Sequence, residues 1–494
     1  TAAVGRIALR AEGSIRGASD IRTPRGELEN TNARTYNVAA GAAYVGDWGH
    51  AGGSYRYYDS DYGIPGGFVG GHPRGVDIVM RRHMGRLEGE LHPAQGGVLE
   101  RVRLSAAYTD YRHRELERSG AVGTAFDQEL AALDVQARHG VLGPFSLGAF
   151  GARAQYRDVI TGGTLRTPST YDYTFAGYAV EELGRGAFRV QLGARYDWAR
   201  YVPRDLTASI RVGGRRVPVR PRTFGSASGS IGALYAVAEG VRVGASVSRA
   251  YRTPDFNELY SDGPHLAAGS FDVGDPELNE ETGLGVDVFV RVATRDLRGE
   301  VAAFRNRLDD YIYPSSRGRV EVGTSGGRPR LQFTNSDALF TGAEGDLEWS
   351  VTHALVVEGT VSYVRAKFVS PGDSIPLFEG TDTTFIAASR YPPLIPPLRG
   401  HLGVRFERPR WFAGIGARWA DRQDRIGDFE RPTAGYLVGE VSGGLRLLAG
   451  SRLHTVTLRV DNVTDTEYRE HLSRTKEIMP EPGRGVSLLY RLTF

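Results

Sequence analysis

Four histidines, His72, His113, His265 and His471, fall between apolar runs rather than within them. Imidazole nitrogens, joined by carboxylates such as Asp59, Asp61, Glu115 and Asp262, are the usual donors for zinc, copper and iron. The expectation is an extracellular capture cluster for a metal or metal chelate, made by His72, His265 and His471 from separate loops with His113 close to the same end. The other histidines read differently. His50, His92, His139 and His353 lie near short turns, and His83, His401 and His454 lie inside strand-like runs. None forms the paired spacing of a helical zinc motif. The chain has no cysteine, which removes thiol nucleophiles, thiolate ligands and disulfides. No nucleophile elbow is present, and no glycine-rich turn leads into a helix, so no enzyme is expected.

The elements that must position these groups have a period of two. In residues 241–248, Val241, Val243, Ala245 and Val247 share one face, and Arg242, Gly244, Ser246 and Ser248 the other. Leu284, Val286, Val288, Val290 and Val292 alternate with Gly285, Asp287, Phe289 and Arg291. The last run places Val486, Leu488, Tyr490, Leu492 and Phe494 together. Alternation over such lengths means strands with one greasy and one wet face. Charged residues sit deep in the wet faces. Arg189, Arg195, Arg242, Arg291 and Arg459 are expected to pair with Asp287, Glu344, Asp346 and Glu348. An apolar outside against lipid and a polar inside against water explain both features.

Connection lengths sharpen this reading. About 20 strands start near Val4, Arg34, His50, Val76, Leu99, Thr124, Phe145, Tyr171, Phe188 and Phe224. The second half starts near Val241, Leu284, Leu297, Gln332, Leu355, Leu398, Trp411, Tyr436, Arg452 and Gly483. Short links at 45–49, 140–144, 184–186, 239–240, 295–296, 408–410 and 449–450 alternate with long ones. The long ones are 59–75, 158–170, 201–222, 253–282, 313–329, 368–397 and 461–482. Short turns on one side and long loops on the other define an up-and-down antiparallel transmembrane β-barrel, all-β, occupying residues 1–494 as one domain. Hydrocarbon offers no hydrogen-bond partners, so a spanning sheet must close on itself. Trp198, Tyr201, Trp411, Phe412 and Trp419 near strand ends suit interfacial girdles. Composition agrees. Glycine is 65 of 494 residues, roughly 13% against a usual level of about 7%. No apolar run reaches the roughly 18 residues of a membrane helix. The 61 basic and 58 acidic residues are dispersed, which excludes a nucleic-acid footprint.

Several segments resemble one family. Tyr251-Arg252-Thr253-Pro254-Asp255-Phe256-Asn257-Glu258-Leu259-Tyr260 is similar to a loop motif of TonB-dependent outer-membrane receptors. So is Gly274-Asp275-Pro276-Glu277-Leu278-Asn279-Glu280-Glu281-Thr282, with Asp275 for the common Asn and Glu280 for the common Pro. Val460-Asp461-Asn462-Val463-Thr464-Asp465-Thr466-Glu467-Tyr468 resembles the entry to the last loop, and Phe494 the terminal aromatic read by the barrel-assembly machinery. Residues 61–66, 111–115, 261–265 and 471–473 look like zinc-uptake-type receptors. The resemblance implies a 22-stranded barrel among outer-membrane lipid and lipopolysaccharide. It also implies an N-terminal plug whose TonB box engages the TonB energy-coupling complex. Neither plug nor box is found in this chain, and the plug and first two strands are expected upstream of Thr1. The implied function is uptake of a metal or metal chelate: a siderophore, zinc, copper, haem or cobalamin. No resident cofactor is implied; zinc, copper or an iron chelate would be cargo. A plugless porin and a structural subunit of an outer-membrane assembly are the alternatives.

Overall fold

The computed structural model describes residues 2–494 apart from 67–74, 94–96, 118, 266, 268, 322–326 and 380–381. One 23-stranded sheet dominates it. Two of those strands, Asp262–His265 and Ser270–Val273, form a loop hairpin. The remaining twenty-one follow one another as an antiparallel meander from Ala2–Val4 to Gly485–Thr493. Three further hairpins, Ile21–Thr23 with Gly26–Leu28, Ser209–Val212 with Arg215–Pro218, and Ser374–Glu379 with Asp382–Ala387, decorate the long loops. Phe256–Tyr260 is the one α-helix among the described residues.

The meander curls until its ends meet. The Gly483 N–H donates to the Arg22 carbonyl at 3.0 Å, and Arg25 pairs with Glu467 at 2.7 Å. Loops that follow the second and the second-to-last strands therefore touch. Among the described residues no ladder joins Ala2–Val4 to Gly485–Thr493. With twenty-one alternating strands these two run in the same direction, so they form no antiparallel seam with each other.

The alternation predicted from sequence is what sorts inside from outside. Along Glu281–Ala293, Leu284, Val286, Val288 and Val290 are 44–56% exposed, one after another on a single face. A row of aliphatic side chains left outside any core is a lipid-facing band. The opposite face is charged, but its ion pairs are local. Arg291 bonds Glu300 (2.6 Å), Arg189 bonds Glu182 (3.0 Å), Arg195 bonds Asp197 (2.6 Å), and Arg459 bonds Glu440 and Asp461 (2.8 Å each). The expected partners Glu344 and Asp287 instead accept from Ser362 and Ser246, both at 3.3 Å. These guanidinium groups each find a carboxylate on their own strand or the next one.

Short and long connections alternate over most of the chain. Residues 47–48, 186–187, 239–240 and 450–451 turn the chain at one end. The loops 204–221, 253–280, 369–398 and 462–484 lie at the other. Strands run further into the long-loop end than the sequence suggested. Gly49–Ile64 pairs with Val76–Leu91 as far as Ile64 and Val76, through the expected loop at 59–75. The expected loop at 313–329 is mostly strand, as Leu297–Glu321 and Gly327–Ser350. Pro314 lies within this ladder, opposite Phe333, between two register shifts. Two expected girdle aromatics point inward. Tyr201 is buried with its hydroxyl on Thr253 (3.1 Å), and Phe412 lies under Arg446. Both have the opposite parity to Trp198, Trp411 and Trp419, which stand on the outward face with exposed Tyr196 and Ile415.

Candidate functional site at the barrel mouth

The main hydrophobic core lies inside the long-loop end. Inward side chains of the wall, Val159, Ala199, Tyr201, Phe224 and Ile312, meet Ile210, Val212 and Val217 of one loop hairpin. They also meet Phe256, Leu259 and Tyr260 of the helix. The helix is short, so its ends carry much of its stability. Asp255 caps it, and Glu258 completes a capping box by accepting from the Asp255 N–H at 2.8 Å. Arg252 pairs with Glu258 (2.8 Å) and Glu281 (3.3 Å), and Arg157 with Asp255 (3.0 Å). The motif at 251–260 thus encodes a loop plug of its own: charges fasten the helix to the wall while its apolar face fills the core. Gly274 allows the returning chain to pass. A Cβ there would lie 2.6 Å from the Leu259 carbonyl carbon and from the Tyr260 nitrogen.

Beyond the helix the hairpin Asp262–Val273 spans the mouth. On one side Phe271–Val273 pairs in parallel with Arg330–Gln332 of the wall. On the other, the Ala267 N–H donates to Glu115 Oε2 at 3.2 Å, at the end of the wall strand Leu99–Glu117. The loop is therefore a strap tied to two distant wall strands. Beneath it is a cavity of about 580 Å³ walled by Phe126, Val159, Phe256 and Phe333. Its polar lining includes Tyr111, His113, Glu115, Gln128, Thr167, Asn257, His265, Asp272 and Arg474.

Tyr111, His113 and Glu115 alternate on one strand, so all three face inward. Glu115 is almost fully buried, with Oε1 3.4 Å from His113 Nε2 and 4.0 Å from His265 Nε2. The outer ring nitrogens are also engaged. His265 Nδ1 donates to Asp272 Oδ2 at 3.0 Å, and His113 Nδ1 bonds the Tyr111 hydroxyl at 3.0 Å. Ser270 Oγ donates to Asp272 Oδ1 at 2.6 Å. Burial alone would lower the His265 pKa, but the Asp272 bond and nearby carboxylate charge outweigh it and hold the ring above its usual value. Burial would raise Asp272, and the same histidine holds it below the usual carboxylate range.

Of the four histidines expected to act together, the structure brings His113 and His265 onto Glu115. His471 belongs to a different set. It is buried, with Nδ1 on Thr433 Oγ1 (2.9 Å) and Nε2 3.6 Å from Glu430. The Lys476 ammonium binds both Glu430 Oε1 (3.0 Å) and the His471 carbonyl (2.9 Å). His72 lies outside the described residues. Of the suggested carboxylates, Glu115 is in the site, whereas Asp59 pairs with Arg81 at 3.0 Å. Asp272 was missed because its role depends on the hairpin register that sets His265 against Ser270. Tyr111 could have been found from its spacing alone, two residues before His113.

Fold and mouth together define a membrane barrel whose long-loop end is filled by a strap and a lined cavity. Residues 18–463 match the family model described as TonB dependent receptor-like, beta-barrel. The chain belongs to that family, and it is a β-barrel of the outer membrane whose relatives are transport receptors, not catalysts. Solved structures agree on the fold. The chain is similar to the copper transporter OprC, at 19% identity and a TM-score of 0.78, covering 98% of this chain and 75% of that one. It is also similar to the FrpB iron transporter from Neisseria meningitidis, at 13% identity and a TM-score of 0.74, covering 99% and 78%. A third is the Serratia marcescens hemophore receptor HasR, solved in complex with its hemophore HasA and heme. It matches at 15% identity and a TM-score of 0.70, covering 97% and 75%.

Proposed function

We propose that this receptor takes up a metal ion or metal chelate, captured at the mouth and passed through a lumen gated by a plug coupled to TonB. The observation that carries the reading is the strap-covered cavity into which His113, Glu115 and His265 converge. Segments 111–115 and 261–265, two of those similar to zinc-uptake-type receptors, supply all three residues, which favours that subtype. Copper, iron and heme in the descriptions of the similar structures point to the same cargo class. Binding in this reading is uniform capture outside, and direction comes from energy supplied at the inner membrane. The test is uptake of radioactive zinc, copper and ferric siderophore by Gram-negative cells with and without the receptor. Receptor-dependent uptake of one of them, abolished by a protonophore, is expected. Uptake that ignores the protonophore, with a steady open conductance of the purified receptor in a planar bilayer, would make it a porin.

A further inference from the structure

We propose that His113, Glu115 and His265 form a site for one divalent transition-metal ion of the zinc or copper type, bound directly by the protein rather than through an organic carrier. This deepens the uptake reading and rests on it for access from outside.

Asp272 as a carboxylate can only accept, so the bond it receives places a His265 ring hydrogen on Nδ1. His265 Nε2 faces Glu115 Oε1 4.0 Å away, where a metal ion that displaces the second ring proton would take its lone pair. His113 Nε2 approaches the same oxygen at 3.4 Å while Tyr111 occupies its other nitrogen. Two imidazole nitrogens and a carboxylate oxygen thus face one small space, which either ring protons or a bound cation can bridge. Glu115 Oε2 is already taken by the Ala267 N–H, which leaves Oε1 for that cation.

The spacing suits a metal. Donors about 2.0–2.1 Å from a tetrahedral ion stand about 3.3 Å from one another. The His113–Glu115 separation of 3.4 Å already has that value, and the His265–Glu115 separation of 4.0 Å exceeds it by well under 1 Å. Among the described residues no three such side chains are yet drawn into coordination distance. The ion would complete the site by pulling the strap tip toward the wall. Asp272 and Tyr111 are the outer partners that fix ring orientation in metal sites. Two imidazoles and one carboxylate favour zinc or copper over magnesium or calcium, which prefer oxygen alone. Glu115 and Asp272 against Arg474 leave these charged lining groups with a net charge of −1, which attracts a cation.

The experiment is calorimetric titration of the intact detergent-folded receptor with zinc and with copper, paired with electron paramagnetic resonance of the copper form. One equivalent is expected to bind, with the spectrum showing two coupled nitrogens. H113A and H265A should each remove one nitrogen and weaken binding more than about 10-fold, and D272N should weaken it about 10- to 100-fold with both nitrogens kept. H471Q should bind as the parent does. No binding of either ion, unchanged binding in H113A and H265A, or a copper spectrum without nitrogen coupling would overturn the site. Should energised uptake of a chelate persist in the H113A/H265A double variant while no free ion binds, the direct-ion site fails and the uptake reading stands. Ion binding through the three residues in a receptor that gives no energised uptake means the reverse.

Discussion

Two histidine–carboxylate sets sit at the long-loop end, one joining a wall strand to the strap and one within the loops, and they do opposite things. At the mouth, His113 and His265 turn their Nε2 atoms toward Glu115 Oε1, at 3.4 and 4.0 Å, and no lysine or arginine pairs with that carboxylate among the described residues. In the second set the Lys476 ammonium sits 3.0 Å from Glu430, where a bound cation would otherwise be. Glu430 also accepts from the backbone N–H groups of Leu394 (3.0 Å) and Gly427 (2.9 Å). It therefore ties the loops 369–398, 421–435 and 462–484 together. The same residue types make a binding site where their lone pairs are left over and a structural latch where an internal cation uses them up. His471 shows the consequence. Its Nε2 has no hydrogen-bond partner, and burial first, then the Lys476 charge, keep the ring well below its usual pKa.

The largest effect that breaks this comparison should come from Lys476→Met. It leaves the Glu430 carboxylate buried without its cation, at a cost of about 3–5 kcal/mol to the latch. Hydrogen exchange in residues 462–484 should accelerate accordingly, with zinc affinity unchanged. Leu259→Ala strikes the other set, since Leu259 has no exposed surface and anchors the strap. Loss of about 2–5 kcal/mol locally is expected, seen as proteolysis within 253–280 while the barrel keeps its heat-resistant migration in gels. His265→Ala should reduce zinc affinity more than about 10-fold, whereas His471→Gln should not. Asp255→Ala removes the helix cap and one partner of Arg157, and should loosen the strap by about 1–2 kcal/mol in exchange measurements.

Acid sharpens the contrast further. The closed latch holds His471 neutral, whereas an opened loop returns it to its ordinary value near about 6.5. Opening therefore takes up a proton, and the latch loses stability as pH falls below that value. Exchange in 462–484 should rise between about pH 6.5 and 5, and His471→Gln should flatten the dependence. Glu430, Lys476 and Thr433 are the polar neighbours that set the size of the effect.

The sequence made the wall legible because one face of each strand meets lipid and the other water, which writes the register into every second residue. Val286, Val288 and Val290 could be placed outward from their spacing alone. It was less explicit where strands leave the membrane, because pairing continues without the apolar alternation, as between Asp59–Ile64 and Val76–Arg81. His113 and Glu115 were readable as one face of a strand. His265 was readable as a loop histidine, but not as their neighbour, since the strap reaches them by tertiary ties at Phe271–Val273 and Ala267. His471 carried no local mark separating a ligand from a latch. That distinction rests on Lys476 and Glu430, brought in from five residues away and from another loop.

Anomalous diffraction at the zinc edge, from crystals of the receptor soaked with zinc, tests the difference between the two sets most directly. The account predicts one strong peak bounded by His113, Glu115 and His265, with the strap tip drawn toward the wall. A peak beside His471 and Glu430, or a mouth that stays empty at saturating zinc, would contradict it.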